Sequence, residues 1–142
     1  MWGFVYEGMV LVDTSGIIAL LDPSDEFHDE AKKFLEKTDD VNFYTVNVTS
    51  HELFTRVRYD KGLPSALGAY DYLRGVKFTV LTFDEKNEQE ALALLRKYGD
   101  QKLSFHDSLC AALMMKNRIY RIFSFDKHFW SFGFEVLPGV TR

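Results

Sequence analysis

Cysteine is nearly absent: Cys110 is the only one in 142 residues, so no intrachain disulfide can form. Its place in the apolar run Leu109-Cys110-Ala111-Ala112-Leu113 points to a reduced interior. Three prolines and nine glycines are too few for a collagen-like or low-complexity chain. No apolar run reaches the roughly 20 residues of a membrane span. The opening Met1-Trp2-Gly3-Phe4-Val5-Tyr6-Glu7-Gly8 lacks the basic stretch and cleavage site of a secretory signal. A soluble cytoplasmic protein without a membrane partner is expected. Positive charge is in deficit as well, with 17 Lys and Arg against 21 Asp and Glu and a net charge of −4. That argues against the broad basic surface of many nucleic-acid binders. It leaves room for a nucleic-acid enzyme, because carboxylates gathered around divalent cations count as acidic while the loaded site is locally positive.

What is present is ordinary globular material: 46% hydrophobic and 27% charged residues, with an aromatic share of 15% that promises a large core. The length suits one domain. Met9 opens the first strand pattern, so residues 1–8 are set apart as an N-terminal extension and 9–142 as the domain. Met9 to Val12 is an apolar run without polar alternation, as in a strand buried on both faces of a parallel sheet. Helices are predicted over 14–21, 25–37, 49–59, 64–73, 85–98 and 104–116. Further strands are predicted over 41–46, 76–81, 119–125 and 134–137. The helix over 104–116 is apolar almost all round, which suits deep burial or a shared interface. Alternating strands and helices imply right-handed crossovers and a three-layer α/β/α sandwich around a central, mainly parallel sheet of about five strands. In such sheets ligands bind beyond the carboxyl ends of the strands.

That rule singles out Asp13, directly after Val10-Leu11-Val12, and Asp126, directly after Arg121-Ile122-Phe123-Ser124-Phe125. Glu52 and Asp107 fall in the first turns of predicted helices whose preceding loops lead to the same edge. Each has a plain structural reading. Thr49-Ser50-His51-Glu52, Ser104-Phe105-His106-Asp107 and Thr82-Phe83-Asp84-Glu85 all resemble helix capping boxes, and an Asp at a strand end is commonly a cap or turn former. The combination reads differently. Clustered carboxylates repel one another and lose hydration, and a divalent cation relieves both costs. Hard oxygen donors favour Mg²⁺ or Mn²⁺ over Zn²⁺. Thr14, Ser15 and Ser124 stand beside these acids as hydroxyls that orient ligands or waters.

Val12-Asp13-Thr14-Ser15-Gly16-Ile17-Ile18-Ala19-Leu20-Leu21 resembles the opening of PIN domains, especially of the VapC-type toxin ribonucleases. His28 and Ala31 match the H-x-x-A that often follows. Leu103-Ser104-Phe105-His106-Asp107-Ser108-Leu109 and Phe123-Ser124-Phe125-Asp126-Lys127-His128-Phe129 resemble that family's third and fourth motifs, in order and at suitable spacing. The resemblance covers residues 9–138. It implies that Asp13, Glu52, Asp107 and Asp126 take the metal-binding acidic positions, with Thr14 or Ser15 and Ser124 as the accompanying hydroxyls. It further implies Mg²⁺- or Mn²⁺-dependent cleavage of RNA, frequent homodimers and, for the toxin branch, a cognate antitoxin. Within that scheme Asp13, Asp107 and Asp126 are metal ligands, Glu52 is a ligand or a water-orienting base, and the ions number one or two.

Arg58 and Lys127 are candidates for holding substrate phosphates. Arg56, four residues after Glu52, reads as a helix-surface ion pair. His28, His51 and His106 are assigned to packing or capping. Met114-Met115 and Phe129-Trp130-Phe132 are assigned to core or interface. Two alternatives stand beside the nuclease. One is a non-catalytic PIN-like module that binds RNA or protein. The other is a different Mg²⁺-dependent phosphohydrolase, such as a haloacid-dehalogenase-type phosphatase, whose second early Asp is replaced here by Ser15.

Overall fold

The computed structural model describes residues 7–38 and 40–139. Five strands make one parallel sheet: β1 (Glu7–Val12), β2 (Asp40–Val46), β3 (Phe78–Leu81), β4 (Arg121–Phe123) and β5 (Glu135–Leu137), in the order β3-β2-β1-β4-β5. The helices are α1 (Thr14–Leu21), α2 (His28–Glu36), α3 (Asn47–Lys61), α4 (Leu63–Leu73), α5 (Glu85–Lys97) and α6 (Phe105–Asn117), with a 3₁₀ helix over Lys127–Phe132. The expected α/β/α sandwich is therefore what the chain forms. Among the described residues, no helix is long and apolar enough to cross a membrane.

Strand β1 is central because its side chains alternate between two dry layers. Val10 and Val12 pack with Ile17, Phe34, Leu53 and Leu73 on one face. Leu11 packs with Cys110, Leu113, Ile119 and Phe129 on the other. Every residue of α6 from Asp107 to Met114 is buried, as its all-round apolar sequence requires. The aromatic run after Asp126 contributes Phe129 and Phe132 to this second core.

Connectivity places the site. The chain leaves β1 toward β2 and β3, then returns across the sheet to add β4 and β5 on the opposite side. The order thus reverses between β1 and β4, and in such sheets the crevice for ligands lies beyond the carboxyl ends at that reversal. The Asp13 amide donates to the Phe123 carbonyl at 3.0 Å, tying the two strand ends together. Gly16 makes that closeness possible, since a Cβ there would lie 2.7 Å from the Phe123 carbonyl oxygen. Helix propensity alone would favour alanine at Gly16 by about 1 kcal/mol. The clash is with backbone and cannot turn aside, so Gly16→Ala is expected to destabilise the fold by about 1–3 kcal/mol in denaturant titration.

Several element boundaries differ from the sequence reading. β1 takes in Glu7 and Gly8, which pair with Asp40 and Val41, while residues 1–6 of the proposed extension lie outside the described residues. α2 starts at His28 rather than Asp25, because the Asp22 and Asp25 carboxylates accept from the Ser24 and Phe27 amides and hold the preceding segment in turns. α3 starts at Asn47, so Thr49 is already inside the helix and the predicted Thr49–Glu52 capping box does not form. The box expected from Thr82 to Glu85 is instead made two residues later, between Asp84 and Asn87. β4 ends at Phe123, and a 3₁₀ helix that hydrophobic periodicity did not reveal follows it.

Candidate active site

Asp13 occupies the N-cap position of α1, yet its side chain caps nothing. Its Oδ2 accepts instead from the hydroxyls of Ser15 at 3.0 Å and Ser124 at 2.9 Å. The same two serines fix the strand-end loop, for Ser15 Oγ accepts from the Phe125 amide and Ser124 Oγ from the Asp126 amide. Phe125 also stacks on Phe27, ring centroids 4.6 Å apart and nearly parallel, which pins the loop to the turn before α2. Thr14 has no such role: its Oγ1 is buried and makes no hydrogen bond among the described residues.

Asp107 serves two purposes. Its Oδ2 accepts from the Ser104 amide at 3.2 Å and its own amide donates to Ser104 Oγ at 3.0 Å, so the capping box at the start of α6 is real. Its Oδ1 is left for the crevice, 3.9 Å from His106 Nδ1. Asp126 caps the 3₁₀ helix by accepting from the His128 amide at 2.9 Å. His128 Nδ1 lies 3.1 Å from the same oxygen, but not at a hydrogen-bonding angle.

The acids converge to different degrees. Ligand atoms of Asp13, Asp107 and His106 lie within 4.8 Å of one another, as do those of Asp107, Asp126 and His128, so Asp107 is common to both groups. Glu52 belongs to neither group and reaches the site through His106, whose Nδ1 is 3.2 Å from Glu52 Oε2. Exposure grades from buried Asp13 and Asp107 to the partly open side chains of Asp126 and Glu52. Arg56 pairs with Glu52 at 3.7 Å, the surface pair its spacing suggested. Arg58 and Lys127 are exposed and make no ion pair with these acids among the described residues. The groove of about 710 Å³ between α1, α3 and α4 is a separate surface, lined by Ile18, Leu21 and Val57 and by none of the four acids.

His106 corrects the sequence reading. The sequence suggests packing or capping, but its ring stands among Asp13, Glu52 and Asp107, with Nε2 2.8 Å from Thr49 Oγ1. Two signals were available in the sequence: His106 directly precedes Asp107, and Thr49 lies three residues before Glu52 on one helix face. His28 does keep a structural role, its Nδ1 2.8 Å from the Ala19 carbonyl, and His51 is exposed on α3.

Electrostatics follow from this packing. Burial pushes the Asp13 carboxyl above its ordinary value, and the charge of Asp107 adds to that; His106 and the two serine hydroxyls oppose it. Burial acts the same way on Asp107, but His106 and the Ser104 amide and hydroxyl outweigh it and leave the group below its ordinary value. For His106, burial favours the neutral ring, yet Asp107, Cys110 and Glu52 together raise it to about 11. A raised histidine contributes stability that is complete below its unfolded value of about 6.5 and is lost only as pH rises through the folded value. At neutral pH the His106 ring is therefore a cation among Asp13, Glu52 and Asp107.

That donor set fits a hard divalent cation. In each group two carboxylate oxygens lie within 4.8 Å of one another, close enough to share an ion bound at about 2.0–2.6 Å; the third atom is an imidazole nitrogen, which His106 as a cation does not offer.

A sequence profile described as PIN domain matches residues 10–135. The chain belongs to the PIN domain family. Ribonuclease VapC13 of Mycobacterium tuberculosis is 29% identical over 136 residues, which cover 94% of this chain and 98% of that protein. The crystal structure of Mycobacterium tuberculosis VapC20, described as a Sarcin-Ricin loop cleaving toxin, superposes with a TM-score of 0.82. It is 26% identical and covers 88% of this chain and 95% of its own. A toxin-antitoxin complex from Klebsiella pneumoniae shares the fold, with a TM-score of 0.63, 20% identity, and coverage of 94% of this chain and 96% of that one.

Proposed function

We propose that this PIN domain is a Mg²⁺- or Mn²⁺-dependent endoribonuclease that hydrolyses RNA phosphodiester bonds, and that it is the toxin of a toxin-antitoxin pair. The observation that carries the reading is the convergence of Asp13, Asp107 and Asp126 at the crevice between β1 and β4, with Asp107 common to both ligand groups. The ribonuclease and toxin names of its relatives support the substrate class. The solved toxin-antitoxin complex of the same fold supports an antitoxin partner. A second copy of this chain as homodimer partner belongs to the same reading.

In this scheme Asp13, Asp107 and Asp126 hold the ion, and Glu52 is either a further ligand or the group that orients the attacking water. Ser15 and Ser124 fix the Asp13 carboxylate by bonding one of its oxygens. A bound cation supplies charge stabilisation at the phosphoryl oxygens and makes water nucleophilic near neutral pH. Arg58 and Lys127, both exposed, are positions from which a cation could meet the phosphates flanking the scissile bond.

The test is cleavage of a mixed structured RNA by the purified protein with Mg²⁺, Mn²⁺ or EDTA, alongside Asp107→Asn. Cutting that requires metal and disappears in the variant is the expected result. Cutting that persists in EDTA, or in a folded Asp107→Asn protein, would overturn the assignment.

A further inference from the structure

Glu52 is the acid whose placement the backbone explains least. Asp13 and Asp126 follow strand ends and Asp107 is clasped by its capping box, whereas Glu52 projects from the side of α3 on a long, partly exposed side chain. Two basic side chains approach its carboxylate. Arg56 approaches at 3.7 Å along the helix surface, an exposed contact of the kind that constrains little. His106 approaches at 3.2 Å with its own side chain only 10% exposed.

The His106 ring is gripped from behind. Nε2 lies 2.8 Å from Thr49 Oγ1, and Cys110 Sγ lies 3.7 Å from both of those atoms. Thr49 is fully buried and stands three residues before Glu52, on the same face of α3. One imidazole from α6 therefore meets two α3 side chains a turn apart, with a different nitrogen to each. Nδ1 stands between two carboxylates, 3.2 Å from Glu52 Oε2 and 3.9 Å from Asp107 Oδ1, as an ion-pair contact.

We infer that His106 is a positioning residue, anchored by Thr49, that fixes the Glu52 carboxylate beside the Asp13–Asp107 site. The inference rests on the metal-site reading above, and it concerns the affinity of that site for its ion rather than the chemistry at the phosphate.

Mn²⁺ binding to the purified chain without RNA, followed by electron paramagnetic resonance, tests it. His106→Ala is expected to weaken binding on the order of tenfold, the scale seen when an outer partner of a ligand is lost, and Glu52→Gln to weaken it comparably. The double variant should be no weaker than Glu52→Gln alone, because His106 acts through Glu52. Thr49→Val, which leaves the carboxylates untouched, should give a smaller loss in the same direction. His106→Gln, whose amide can donate to Glu52, should recover part of the loss, and saturating Mn²⁺ should restore RNA cleavage in both His106→Ala and Thr49→Val. Should His106→Ala fail to fold, the Thr49→Val and His106→Gln results decide the matter. Wild-type Mn²⁺ affinity in His106→Ala, or losses that add in full with Glu52→Gln, would overturn the positioning role while loss of binding in Asp13→Asn kept the metal site intact. Unchanged binding in Asp13→Asn would overturn both together.

Discussion

Asp13→Asn is expected to abolish RNA cleavage and, in EDTA, to raise the melting temperature. The activity loss should exceed the roughly 10–100-fold that follows removal of an outer-shell partner, since Asp13 is proposed as a direct ligand. The stability gain follows from burial. Asp13 is 4% exposed, and its folded carboxyl titrates above its ordinary value chiefly because burial penalises the charge. An acid whose folded value is raised weakens the fold at neutral pH, and stability returns as pH falls through that value. Asparagine keeps an oxygen to accept from Ser15 and Ser124 but carries no charge, so the variant should lose this pH dependence. Calorimetry of both proteins in EDTA at neutral and mildly acid pH checks it: the gap in melting temperature should narrow on acidification. A variant less stable than wild type at every pH would mean that Asp13 stabilises the fold rather than being held in it at a cost.

The second large effect is expected at Phe129. It is fully buried in the core beneath β4 and packs with Phe132, ring centroids 6.2 Å apart. Truncating such a ring to alanine costs about 3–5 kcal/mol, a large share of the roughly 5–15 kcal/mol available to a whole domain. At about 2–4 °C per kcal/mol for a chain of this size, Phe129→Ala should melt about 6–20 °C lower. Phe129 lies on the 3₁₀ helix that Asp126 caps, so cleavage should fall even where the variant stays folded. Tyr59→Ala, at an exposed position on α3, should change stability by no more than about 0.5 kcal/mol.

These two positions also mark what the sequence discloses. Asp13 was legible because an acid directly after a doubly buried strand must stand at the carboxyl edge of a parallel sheet, and Asp126 followed by the same rule. Asp107 was legible as a capping residue and as a site residue, and its two oxygens do divide between those tasks. The 3₁₀ helix was not, because in Lys127-His128-Phe129-Trp130-Ser131-Phe132 the apolar residues follow no helical or strand period.

The true start of α3 carries the larger consequence. Thr49 read as a cap for Glu52 satisfies its hydroxyl locally, and no reason remains to look for a partner. With the helix beginning at Asn47, the Thr49 hydroxyl instead meets His106, 57 residues further along the chain. A local reading of either segment cannot supply that contact, since neither α3 nor α6 specifies which buried polar group the other presents.

Anomalous diffraction from Mn²⁺-soaked crystals bears most directly on the central claim that these carboxylates form one metal site. A Mn²⁺ peak coordinated by Asp13 and Asp107, with Asp126 on the same ion or on a second one beside it, is the expected result. Mn²⁺ bound elsewhere, or carboxylates that stay unliganded at concentrations supporting cleavage, would contradict the account.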